Sequence, residues 1–146
     1  GRYFILPAPL FADSAADRDL WCNHRIYRTV TEKAAQADVT FIGIGSMGYH
    51  CPLHKDGFIS AQDVDVLMAA NVVAEMLGNF IDIDGQRVAY ELDQRLTSAS
   101  LRIQPEKPVI AIAGGKEKHQ AIKAALRGYW VNGLVTDEES AMALLA

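Results

Sequence analysis

The run Val109-Ile110-Ala111-Ile112-Ala113, followed by Gly114-Gly115 and Lys116-Glu117-Lys118, constrains the fold more than any other part of the chain. An apolar run without polar alternation describes a buried strand. Two glycines then let the backbone turn sharply and approach a ligand closely. A helix fits the residues from there to Leu126, and Gly128 is placed to end it. Strand, glycine turn and returning helix form the repeating unit of a parallel sheet.

Other segments repeat the alternation. Val39-Thr40-Phe41-Ile42-Gly43-Ile44 reads as a second buried strand, and Asn132 to Thr136 as a short last one. Tyr3-Phe4-Ile5-Leu6 reads as a further buried strand at the start. Ser14 is placed to cap a helix through Trp21, and a helix fits Arg25 to Ala37. Ser60-Ala61-Gln62-Asp63 is a capping signal that opens another helix. Thr136 or Asp137 is placed to cap Glu138 to Leu145. The stretch Val72 to Ile83 fits either a helix continuation or a strand. Asp84-Gly85 is a tight-turn signal and predicts a small hairpin. The expected class is α/β, a mostly parallel sheet with helices on both faces.

Composition narrows the functions. The chain has 146 residues, half of them apolar, which suits one domain with a real core, 1–146. Formal net charge is -4, and no basic patch of the kind that grips nucleic acid dominates. No apolar run approaches the ~20 residues that cross a bilayer, and no signal peptide is legible. Cys22 and Cys51 read as free thiols in a reducing, cytoplasmic compartment.

Ligands of parallel sheets bind at the carboxyl ends of the strands. Three loops lie there: Gly45–Tyr49, Gly114–Lys118 and Thr136–Asp137. In the second, free helix N–H groups and the positive end of the dipole favour an anion. Lys116 and Lys118 sit unfavourably in that first turn, and an anionic ligand would reverse the sign. Gly43-Ile44-Gly45-Ser46-Met47-Gly48 has the spacing of a dinucleotide loop. Tyr49-His50-Cys51-Pro52 does not open the helix such a loop needs. His50, Cys51 and His54 match no standard zinc spacing, so no metal and no cofactor are expected. Glu75, Asp82 and Asp84 supply carboxylates for hydroxyl groups or for acid–base work. Ser46 lacks the surroundings of a nucleophile.

Taken together, these segments resemble the carboxyl-terminal part of the sugar-binding domain of SorC-type bacterial transcriptional regulators. The matching pieces are Tyr3 through Leu10, Ala37-Asp38-Val39 through Ser46, Phe80 through Gly85, Ala113 through Lys118 and Leu134 through Glu138. The resemblance implies the fold of glucosamine-6-phosphate deaminases and ribose-5-phosphate isomerases. It also implies an oligomeric regulator that answers a phosphorylated sugar or polyol. Operator DNA would be bound by an amino-terminal helix-turn-helix domain outside these residues. Carried over by position, Gly45, Ser46 and Met47 would line the ligand, Glu75 would bind hydroxyls, and Lys118 would meet a phosphate or a polar head. Asp82, Gly114 and Gly115 are candidate ligand-binding residues on their own local patterns. The enzymes carry an acid–base group where Met47 stands, and Met47 cannot transfer protons. The resemblance therefore implies a domain that binds without transforming its ligand.

Overall fold

The computed structural model describes residues 1–146. Two sheets share one helix between them. The first is parallel and has three strands: β1 (Thr40–Ile42), β6 (Val109–Ile112) and β7 (Gly133–Val135), in the order β1-β6-β7. The second is antiparallel and has four: β2 (Gly45–Ser46), β3 (Val72–Met76), β4 (Asn79–Asp82) and β5 (Arg87–Val88), in chain order. The α/β class stands, but parallel pairing stops at three strands. The reason is connection length. Leu77 and Gly78 alone join β3 to β4, and a two-residue turn can only bring the chain back antiparallel. Parallel neighbours need a crossover, which the helix α5 (His119–Arg127) supplies between β6 and β7.

Helix α5 is the centre of the larger core. Its Ala121, Ile122, Ala124 and Ala125 are buried. They join Ile42, Val109, Ala111 and Ala113 of the parallel sheet and Ala74, Met76 and Ile81 of the antiparallel sheet in one cluster. Small alanines on this face let the helix lie close to both sheets. The other face of the antiparallel sheet carries Val72 and Phe80. These pack with Phe11, Leu53, Ile59 and Leu92, and with Val64 and Leu67 of α4 (Ala61–Ala69), as a second cluster.

The opposite face of the parallel sheet is bare. Phe41, Ile112 and Val135 are 62%, 55% and 55% exposed and lie on adjacent strands. Helices therefore cover one face of this sheet within the chain, not both.

The sequence signals for local structure are met. Ser14 caps α1 (Ala15–Asn23) through the Asp17 amide. Helix α2 covers Arg25–Ala35. Ser60 and Asp63 form a reciprocal capping box on α4. Gly128 ends α5, and Asp137 caps α6 (Glu138–Leu145). A short helix, α3 (Pro52–Lys55), follows the first glycine loop. The hairpin across Asp84-Gly85 is present as β4 and β5, with Gly85 at φ +84°. One expectation fails. Tyr3 to Leu6 is not a strand, and Tyr3 and Ile5 are 85% and 72% exposed. An apolar run becomes a strand only beside a partner strand, and neither sheet pairs with it. No helix is long and apolar enough to cross a membrane.

Candidate functional site

The three loops meet where the two sheets join. Only Gly43 and Ile44 separate β1 from β2, so the first glycine loop passes directly from one sheet to the other. Ser46 and Met47 line a cavity of about 320 Å³ with Asn71, Val73, Glu117 and Gln120. Glu117 brings the second glycine loop into this lining, one residue before Lys118. Two of the three segments expected from sequence thus share one cavity.

Gly45 stands across from Glu75 in the β2–β3 register. A β-carbon on Gly45 would lie 3.1 Å from Glu75 Oε2, so the glycine leaves room for the carboxyl group. The other oxygen, Oε1, accepts the Gly78 N–H. Burial pushes the Glu75 carboxyl above the ordinary glutamate value, and the Gly78 amide pulls it back in part. A half-buried carboxyl with one occupied oxygen can still accept from a hydroxyl at the other.

Asp82 does not line the cavity. Its Oδ1 accepts from the Asp84 and Gln86 amides at 3.0 and 2.8 Å, which shapes the β4–β5 turn. Lys116 pairs with Glu139 at 3.0 Å, both side chains being exposed, and such a pair contributes little. Lys118 is half-buried and is not in an ion pair.

The second glycine loop differs from its sequence reading. A 3₁₀ turn, Lys116–Lys118, precedes α5. The Gly115 amide donates to Asp137 Oδ2 at 2.8 Å, with Ser140 Oγ at 3.2 Å. The Asp137 carboxylate also accepts from the Ser140 amide and hydroxyl, each at 2.8 Å. These donors, Ser140 first, hold Asp137 well below the usual aspartate range, at about 2. The only Ser140 hydroxyl proton is spent on Asp137. His119 Nε2, 3.1 Å from Ser140 Oγ, therefore carries a proton and donates. A β-carbon on Gly114 would overlap the Asp137 carboxylate, which explains why this position has none.

In the sequence Asp137 reads as a helix cap and as part of a third ligand loop, and its bond to Gly115 is not legible there. Asn71 and Gln120 carry no sequence signal at all. His50, Cys51 and His54 assemble nothing: the His54 ring binds the Tyr49 carbonyl, and no group of three suitable ligands for a metal ion exists in the chain. Both cysteines are free.

An α/β domain with two glycine loops gathered at the carboxyl ends of parallel strands is a small-ligand binding architecture. Comparison with known proteins places it more narrowly. Residues 1–146 match the family described as "Putative sugar-binding domain", and the chain belongs to that family. The erythritol catabolism regulatory protein EryD of Brucella abortus is 33% identical over 97% of this chain and 45% of its own length. The transcriptional regulator LsrR of Enterobacter sp. is 34% identical over 97% of this chain and 45% of its own. The full-length sorbitol operon regulator SorC of Klebsiella pneumoniae superposes with a TM-score of 0.84 at 27% identity, over 94% of this chain and 45% of that one. The expected likeness to SorC-type regulators therefore holds. The chain spans less than half the length of these relatives, which carry the names of regulators and not of enzymes.

Proposed function

We propose that this chain is the carboxyl-terminal part of the effector-sensing domain of a bacterial transcriptional regulator, and that it binds a phosphorylated sugar or polyol. The observation that carries this reading is the family match along the whole chain, joined to the meeting of the two glycine loops at one cavity. Gly45, Ser46 and Met47 form one wall. Glu75 supplies an acceptor for hydroxyls, while Asp82, outside the cavity and engaged in the β4–β5 turn, has no part in this reading. Glu117 carries the second glycine loop, with Gly114, Gly115 and Lys118, to the edge of this cavity, and from there Lys118 would meet the phosphate.

The bare face of the parallel sheet supports the reading of the chain as part of a larger domain. Parallel sheets are covered on both faces, and Phe41, Ile112 and Val135 leave a seat for a further layer. The rest of the regulator would supply that layer and an amino-terminal segment for operator DNA. It would work as a homo-oligomer in the cytoplasm. Binding acts as a population shift: the ligand favours one arrangement, and DNA affinity changes by the difference in its affinity for the two. No transformation of the ligand is involved, since the side chain beside Ser46 is Met47.

The test is calorimetry of the full-length protein against hexitol and pentitol phosphates. Lys118→Ala should weaken binding of the phosphorylated ligand by about tenfold or more, as expected for one charge-assisted contact. Unchanged affinity would sink the assignment of Lys118.

A further inference from the structure

The glycine turn that the sequence marks as an anion seat already holds an anion. Asp137 Oδ2 sits on the Gly115 amide. Its other partners, the Ser140 amide and hydroxyl, belong to a residue with no exposed surface, so the carboxylate is anchored from behind. Glu117 adds a second carboxylate. A β-carbon on Gly115 would lie 2.8 Å from Glu117 Oε1, so that side chain folds back over the turn. Glu139 neutralises Lys116. Of the positive groups in the loop, only Lys118 lacks a carboxylate partner.

We infer that Asp137 is a specificity-determining residue of the effector site: it turns a phosphate group away from the Gly115 amide and leaves Lys118 as the one cation that a phosphorylated ligand can reach. This rests on the effector site proposed above. The Gly115 amide hydrogen is already shared between Asp137 Oδ2 and Ser140 Oγ, and a second anion at the same spot meets the carboxylate at contact distance, where water screens least. The turn is thereby shaped by glycine for geometry, while its charge is spent internally. The wall of the site then selects a sugar or polyol mainly by its hydroxyls, and a phosphate adds a single charged contact.

The prediction is tested on the full-length protein by calorimetry with inorganic phosphate at constant ionic strength. Asp137→Asn removes the negative charge and leaves one side-chain oxygen where the Ser140 and Gly115 amides now have two. Asp137→Ser keeps a capping hydroxyl for α6 but is too short and carries no charge. Both should bind phosphate at least about fivefold more tightly than the wild type, the gain expected from one freed donor to a charged acceptor. Asp137→Glu restores the carboxylate and should return affinity to the wild-type range. A purely structural role would weaken binding in all three. Failure of both neutral variants to tighten binding overturns the inference. So does a micromolar Kd for phosphate on the wild-type protein, where a value above roughly 1 mM is expected. Lys118→Ala in the Asp137→Ser background separates the two ideas. If it leaves the gain intact, the placement of Lys118 fails while the role of Asp137 stands.

Discussion

Glu75 faces Gly45 across the β2–β3 pair, with Oε2 directed at the space where a side chain at 45 would begin. The carboxyl group is half-buried, stands opposite Phe80 in the β3–β4 register and has one backbone donor.

This arrangement makes stability depend on pH in a stated direction. Burial raises the folded-state value above the usual 4.5. The folded protein then holds the Glu75 proton more tightly than the unfolded chain does. The contribution is fully present below 4.5 and is lost as pH rises through the folded value. Glu75→Gln does not titrate. Its melting temperature relative to the wild type should therefore rise between pH 4 and pH 7, while ligand binding falls. A difference that stays constant across that range would contradict the burial argument.

Gly78 and Gly85 both have φ values open mainly to glycine, +78° and +84°. Their surroundings differ. A β-carbon on Gly78 would press on the Leu96 side chain, which can rotate away. One on Gly85 would meet the Gly128 backbone and the Ala124 carbonyl, which cannot. Gly78→Ala should destabilise by about 1–3 kcal/mol and Gly85→Ala by more. Chemical denaturation checks the order, and equal losses would show that φ alone sets the penalty.

Ser60→Ala removes the hydroxyl that accepts the Asp63 amide at 3.1 Å and leaves one end of the α4 capping box open. The expected loss is about 1 kcal/mol. Helix α4 carries Val64 and Leu67 into the second core cluster, so the loss should appear in global unfolding and not merely as fraying.

A carboxyl titration followed by NMR should place Asp137 near the value of about 2 that its donors impose. Because that value is depressed, its stabilising effect is present above the ordinary aspartate value of 3.8 and is lost as pH falls toward 2. Ser140→Ala removes one donor and keeps the Ser140 position's amide. The Asp137 value should then move upward, short of 3.8. No movement would mean that the amides alone carry the shift.

Much of this was legible because the signals are local. Ser60-x-x-Asp63, the apolar run before Gly114-Gly115, Gly128 and Asp84-Gly85 each act within a few residues, and each element is present. The β3–β4 hairpin was ambiguous for a physical reason. Its turn uses Leu77 at φ +49°, a conformation that side chains rarely adopt and that no sequence pattern announces. Tyr3 to Leu6 misled because apolarity specifies a partner only when one is within reach. The Asp137–Gly115 bond joins positions 22 residues apart. Each end looked complete by itself, one as a cap and one as a free anion seat. Only the fold shows that they satisfy each other.

The two residues Gly43 and Ile44 have a mechanical consequence. They are the tether on which the antiparallel sheet hangs from the parallel one, and Ile44 is fixed in the core. In the proposed site, a small molecule held by Ser46 on one side and by Lys118 on the other would span that joint. Such a ligand would add a brace to a joint that α5 already packs from one side, its length set by the molecule's own covalent bonds.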